Sequence, residues 1–205
     1  MKKILFFPYN GNAMEAIECL DDNWEFIGFI DDNLFKLKKS YDGHPIYSRS
    51  VLDKYLESNI LAVYGGPKTY INRKRVIESL NIPEERFATI IHPKALISNN
   101  VTVGKNTLIM GGVVVTSNAI IGNHVVILPN SVIHHDTVIN DYSLVGSGVV
   151  ISGNVTINNN CYIGSGSKIK NHLSIGSNTL VGIGSNVTNN FSDNLTIIGN
   201  PAKEK

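Results

Sequence analysis

From Ile91 to Val187 the chain places Ile or Val at every sixth residue, 17 positions without an exception, among them Ile97, Val103, Ile109, Ile133, Ile151 and Val181. Four residues after each of these sites the side chain is mostly small or β-branched, as at Ala95, Thr107, Val113, Ser131 and Val149. Three residues after, it is Asn or Gly in 12 of the 17 cases, including Asn106, Gly112, Asn130 and Gly184. Asn and Gly enter left-handed backbone at the lowest steric cost, so they suit a corner that recurs. Neither an α-helix nor a simple strand repeats at six. A chain that runs a short strand, turns a corner and repeats does so, and three sides then close one coil of about 18 residues. This is the hexapeptide parallel β-helix, in which each coil hydrogen-bonds to the next. Seventeen hexads make close to six coils, and at roughly 4.8 Å per rung the prism stands on the order of 27 Å tall.

The first 90 residues follow another pattern. Lys3–Phe7, Trp24–Ile30 and Ile60–Tyr64 read as strands, and Ala13–Leu20, Val51–Leu56 and Thr69–Leu80 as helices. This alternation predicts a small parallel α/β sheet with crossover helices. The joint falls near Asn81-Ile82-Pro83, dividing the chain into domains 1–85 and 86–205, and the tail from Gly199 to Lys203 is expected to leave the solenoid and lie across its last coil. Lys plus Arg number 18 against 17 for Asp plus Glu, so no broad basic field points to nucleic acid or an anionic membrane surface. Two cysteines, Cys19 and Cys161, make no secreted disulfide framework. The apolar run at the start ends at Pro8, short of a signal-peptide core, and no stretch nears the roughly 20 apolar residues of a membrane span. The expectation is a cytoplasmic protein.

Coil arithmetic locates a candidate site. Eighteen residues beyond His135 lies Gly153, whose backbone N–H is expected one rung above the imidazole. A base beside an amide donor fits acyl transfer, the donor serving the oxyanion. The adjacent Asp136 is placed to orient the ring and favour its protonated form, although Asp also suits a corner for conformational reasons alone. His134 is outward-facing beside the base. His92, His124 and His172 are read as surface or interface residues, and His44 as a loop residue. His124 and His172 differ by 48 positions and His135 and His172 by 37, so neither pair stacks by whole coils and no metal site is expected. In the first domain the turn containing Asn10, Gly11 and Asn12 leads from a strand into a helix, where backbone N–H groups can cradle phosphate. Asp31 and Asp32 end the second strand, where a dinucleotide-type fold holds its ribose-binding acid, and Gly65-Gly66 follows the third. No GxGxxG is present, and an ordinary strand–turn–helix explains the turn equally well.

The segments Phe29-Ile30-Asp31-Asp32, Ile91-His92-Pro93-Lys94-Ala95, Ser131 through Asp136, Ser152-Gly153-Asn154-Val155 and Gly199 through Lys203 resemble signatures of the nucleotide-sugar acetyltransferases of the sialic-acid O-acetyltransferase and bacillosamine N-acetyltransferase type. The resemblance covers nearly the whole chain. It implies a Rossmann-like N-terminal domain and a left-handed β-helix, with acetyl-CoA as acyl donor and a nucleotide-linked amino sugar as acceptor. It also implies a homotrimer whose sites lie between subunits. The family's base falls on His135, its supporting carboxylate on Asp136 and its carbonyl-holding amide on Gly153. Acetyl-CoA contacts fall near Ser165 and Ile183, themselves 18 apart, and nucleotide contacts on Asn10, Gly11, Asn12, Asp31, Asp32 and Gly65. Pro8 and Asn12 replace a glycine and a histidine of the family's first turn, departures that bear on the phosphate or base contacts and so on nucleotide identity, and Leu128 and Leu144 replace an asparagine and a second histidine, departures expected to alter the acceptor pocket. Transfer to a hydroxyl, a non-catalytic sugar-nucleotide-binding scaffold and a zinc hydratase are the other readings such a solenoid admits.

Overall fold

The computed structural model describes residues 1–205 and consists of a sheet-and-helix unit seated on one face of a three-sided parallel β-helix. The prism strands are two residues long. One face runs from Ile90–Ile91 through Val126–Ile127 to Leu180–Val181, the second from Leu96–Ile97 through Val132–Ile133 to Asn186–Val187, and the third from Thr102–Val103 to Ser174–Ile175. Register between coils is 18 residues, as in Val132 opposite Val150. From Ile109 to Val187 the hexad Ile and Val residues stack inward as one continuous core, with Ile97 and Val103 partly buried against it; full burial of each is worth roughly 1.5–3 kcal/mol. From Asn106 to Gly184 the residue three after each hexad site takes the left-handed corner, with φ of 52° at Asn106, 61° at Asn130 and 72° at Gly112. Hydroxyls one position later close the buried corner carbonyls: Ser131 donates to Gly146 O at 2.8 Å, Thr137 to Ser152 O at 3.0 Å and Ser167 to Gly182 O at 2.9 Å. These corner hydroxyls are thus paired inside an otherwise apolar prism.

The final coil departs from the repeat. Ile175 pairs with Phe191 and Leu180 with Thr196, each 16 residues on. Position 193 is Asp instead of a β-branched residue, and the larger Phe191 packs against the core in its place. The solenoid also runs further than expected: Thr196–Gly199 forms its last rung, and Ala202–Glu204 folds back antiparallel on that edge instead of crossing the coil. A paired return strand blunts an edge that would otherwise template aggregation.

In the N-terminal unit, β1 (Lys2–Phe7), β2 (Trp24–Ile30), β3 (Ser40–Tyr41), β4 (His44–Tyr47) and β5 (Asn59–Ala62) form one sheet in the order β3-β4-β2-β1-β5. The sheet is mixed, not wholly parallel, because β3 and β4 form an antiparallel hairpin across Asp42 and Gly43, both at positive φ. The helices α1 (Gly11–Ala16), α2 (Val51–Lys54) and α3 (Arg73–Glu78) are shorter than expected. No helix is long and apolar enough to cross a membrane.

The two units share an extensive seam. Ala13, Ala16 and Cys19 cluster with Leu108, Met110, Val126 and Leu144 on the first prism face, with Leu128 packed alongside. Leu128 and Leu144 therefore belong to this seam, which accounts for their apolar character. Asn106 completes the end of β5, accepting from Ala62 N at 2.7 Å and donating to Ala62 O at 3.0 Å. Arg73 is fully buried and donates to the carbonyl oxygens of Tyr64, Tyr142 and His124. Burial draws its pKa down to about 9, which still leaves it a cation at neutral pH.

Of the surface or interface positions expected for His124, the structure gives an internal interface: it is only 8% exposed, stacked 4.5 Å from Tyr142 and edge-on to Phe87 at 5.1 Å within the seam. Tyr142 and His124 occupy left-handed corners where the repeat usually has Asn or Gly, because the seam needs their rings. Asn106 Oδ1 is committed to Ala62 N, so its amide nitrogen must donate to His124 Nδ1 at 2.9 Å, and the ring is neutral with its proton on Nε2. Burial first, and the Arg73 cation second, push the His124 pKa down to about 4. Its ordinary value is about 6.5, so between these limits the unfolded chain binds more protons and stability falls as pH drops from about 6.5 toward 4. The expected contribution is up to roughly 3 kcal/mol. His124→Asn suits the same corner and does not titrate, so urea melts at pH 7.5 and 4.5 should show a smaller acid loss in the variant than in the wild type.

Candidate active site

His135 and Asp136 lie at the corner between the second and third faces, in the turn after the Val132–Ile133 strand. Asp136 holds φ of 58°, so its carboxylate turns back toward the preceding side chain, and its Oδ2 meets His135 Nδ1 at 2.7 Å. That bond, followed by one from Asn118, holds the Asp136 carboxyl below the usual carboxylate range. An ionised carboxylate only accepts, so Nδ1 carries the proton and Nε2 presents a free lone pair. The His135 side chain is 55% exposed.

Gly153 lies against the imidazole. A Cβ at this position would fall 2.5 Å from both Cε1 and Nε2 of His135, so only glycine leaves room for the ring. The register is fixed on both sides, with Val132 opposite Val150 and Asn154 N donating to His135 O at 3.0 Å. At equivalent corner positions the backbone N–H donates to the side chain one coil on: Lys105 N to Asn123 at 2.8 Å, Asn123 N to Asp141 at 2.7 Å, Ser147 N to Ser165 at 3.2 Å. The Gly153 N–H makes no such bond, and the exposed Asn171 one coil on does not take it. An imidazole acceptor and a free amide donor therefore sit side by side.

The other expected residues are distributed more widely. Ser165 and Ile183 stack as foreseen, the latter 82% exposed, but at the corner between the first and second faces. They flank the opposite edge of the second face from His135. Asn10 caps α1, accepting from Ala13 N at 2.9 Å, and also donates to Val63 O, while Gly11 is exposed and Asn12 half-buried. Asp31 is buried, accepts from Asn33 N and pairs with Lys36 at 2.9 Å; Asp32 receives both Nε and Nη2 of Arg49 at 2.7 Å. Sequence reasoning did not foresee these two cations, which surround both carboxylates with positive charge. Gly65, at φ of 124°, faces Arg73, whose Cγ would lie 2.8 Å from a Cβ there, so its freedom serves the seam. His92 and His134 are half-buried and His172 is exposed; His44 lies in β4 with its ring against Phe26. No group of three His, Cys, Asp or Glu side chains converges as a metal site. A cavity of about 700 Å³ opens at a different corner, between α3 and the prism, lined by Lys74, Arg75, Glu78, Asp141 and Asn160.

Residues 118–153 and 136–171, which contain His135, Asp136 and Gly153, match the family model of the bacterial transferase hexapeptide with its six repeats. The match covers the middle coils of the solenoid, 118–171. Solved structures share the fold over the whole length of the chain. A variant of perosamine N-acetyltransferase from Caulobacter crescentus, in complex with CoA and GDP-perosamine, superposes with a TM-score of 0.87 at 22% identity, covering 100% of this chain and 97% of that one. The acetyltransferase domain of PglB from Neisseria gonorrhoeae, with acetyl coenzyme A, gives 0.86 at 21% identity over 100% and 99%. WeeI from Acinetobacter baumannii gives 0.82 at 25% over the full length of both chains. Comparison with curated protein sequences returns no match.

Proposed function

We propose that this protein transfers the acetyl group of acetyl-CoA to the amino group of a nucleotide-linked sugar. The observation that carries this reading is the His135–Asp136 pair lying beneath the free N–H of Gly153. The likeness to enzymes solved with CoA and GDP-perosamine supports it. His135 Nε2 takes a proton from the acceptor amine as the amine nitrogen attacks the thioester carbonyl carbon. Asp136 supports the resulting imidazolium, and the Gly153 N–H meets the negative charge on the carbonyl oxygen. The C–N bond forms, the C–S bond breaks, and the proton on His135 passes to the departing sulfur. Ser165 and Ile183 serve the pantetheine, and the nucleotide lies over Asn10, Gly11, Asn12, Asp31, Asp32 and Gly65, with Lys36 and Arg49 close by to offset phosphate charge. The placement of Ser165 and Ile183 across a face from His135 favours a site completed by a neighbouring copy, in a cytoplasmic homotrimer. The finer architecture that goes with this reading is a left-handed β-helix over 86–205 and a Rossmann-like unit over 1–85.

Thermal melts with acetyl-CoA, followed by mass spectrometry with a panel of UDP-, GDP-, dTDP- and CMP-linked amino sugars, test the proposal. A ligand at a hundredfold excess over its Kd stabilises the native state by about 2.7 kcal/mol, which for a chain of this size raises Tm by roughly 5–10 °C. A product heavier by one acetyl group is expected with at least one amino sugar. Absence of any acetyl-CoA shift would favour a non-catalytic solenoid instead.

A further inference from the structure

Asp136 has two carboxylate oxygens and a different partner on each. Oδ2 meets His135, and Oδ1 accepts from Asn118 Nδ2 at 3.0 Å. One coil below, Asn118 Oδ1 accepts from Asn100 Nδ2 at 2.6 Å. The polarity of this column is forced: the carboxylate at its end only accepts, so Asn118 must turn its amide nitrogen upward and its oxygen toward Asn100. A second amide column, Asn160 to Asn178 to Asn194, occupies the corner between the third and first faces and ends on no carboxylate. The ladder as such is a device of the fold. What distinguishes the first one is where it stops.

We infer that Asn118 is a positioning residue for the His135 base, locking the Asp136 carboxylate from its far oxygen while Asn100 fixes Asn118 in turn; this deepens the acetyltransferase reading and rests on it. A carboxylate bonded through one oxygen keeps its Cβ–Cγ torsion free, whereas partners on both oxygens define its plane. The imidazole hydrogen-bonded to that plane then has one orientation, with Nε2 directed outward beside Gly153. A further effect of the Asn118 donor is to favour the ionised carboxylate, which keeps the proton on Nδ1.

Three variants test the inference. Asn118 has φ of 59°, which glycine accepts, so Asn118→Gly removes the amide without straining the corner. It should lower kcat about tenfold, the lower end for loss of an outer-shell partner, with KM within about twofold. The ¹⁵N spectrum of the His135 imidazole, recorded without substrate, should move from a single Nδ1–H tautomer toward a mixture. Asn118→Asp sets a second carboxylate beside Asp136, and the acidic limb of the kcat/KM profile should shift to higher pH. Asn178→Gly, in the ladder without a carboxylate, should change none of these. An unchanged kcat and imidazole spectrum in Asn118→Gly, or lost activity with a lowered Tm and an unchanged spectrum, would make Asn118 a structural rung and overturn the inference. So would an acidic limb that stays fixed or moves to lower pH in Asn118→Asp. The spectrum needs no turnover: activity retained by a His135→Ala protein would overturn the assignment of the base while leaving the tautomer result on Asn118 readable.

Discussion

Replacement of His135 by Ala is expected to lower kcat by at least a hundredfold while leaving fold and assembly intact. General-base catalysis contributes roughly 10²–10⁴-fold, and the remaining acceleration comes from positioning and the amide donor, which the variant keeps. Stability should hold because the side chain is more than half exposed and its only side-chain hydrogen bond is to Asp136, itself 43% exposed; exposed ion pairs of this kind contribute little. Steady-state kinetics with the acetylated amino-sugar nucleotide as product, beside a melting curve, check both halves. Activity within tenfold of wild type would remove His135 from the mechanism. Asp136→Asn should fall between the two proteins. An amide at that position fits the left-handed corner, but it no longer supports the imidazolium and leaves the tautomer unfixed.

The solenoid was legible because its interior imposes one requirement at each sixth residue and its corners another. Ile and Val at the inward sites, with Asn and Gly three positions later, are direct consequences of that geometry. Register followed from counting, which is why Gly153 is found against His135. The last coil escaped counting: Phe191 fills the interior two residues early, and a periodicity in Ile and Val does not register an aromatic substitute. His124 and Tyr142 were equally opaque. They interrupt the corner pattern where the N-terminal unit docks, and an interruption signals that something differs without saying what covers it. The β3–β4 hairpin contains Asp42-Gly43, a turn signal at hand in the sequence, but its strands of two and four residues are too short to carry a period.

Within the candidate site, the same logic divides what was readable from what was not. His135, Asp136 and Gly153 are local to two coils of one chain, so 18-residue arithmetic reaches them. Asn118 was hidden because an asparagine at a corner already has a conformational explanation, and its link to Asp136 appears only when side-chain directions are known. Asp31 and Asp32 are expected as ribose-binding acids, yet each already answers to a cation: Lys36, five residues from Asp31 across a turn with no helical period, and Arg49, 17 residues from Asp32. Ser165 and Ile183 stack as counted. Their relation to His135 depends on a second copy of the chain, which intrachain periodicity does not describe.

Gly153→Ala is the more discriminating of the two large effects, because it adds one methyl group and removes no functional group. Gly153 is not among the glycines at positive φ, so alanine is conformationally acceptable there and the coil should form. The added Cβ would lie 2.5 Å from Cε1 and Nε2 and 3.0 Å from Nδ1 of His135, well inside van der Waals contact. The imidazole is the group free to yield, and by swinging outward it breaks the 2.7 Å bond to Asp136 and moves Nε2 away from the amide. The expected result is a loss in kcat of about a hundredfold, equivalent to about 2.7 kcal/mol of transition-state stabilisation, with Tm lowered by no more than a few degrees. The His135 ¹⁵N spectrum should lose its Nδ1–H signature in parallel. If the methyl is accommodated with full turnover, the base does not work where the glycine now holds it. If turnover falls while the imidazole spectrum stays as in wild type, ring displacement is not the cause of the loss and the packing of Gly153 against His135 has no catalytic part.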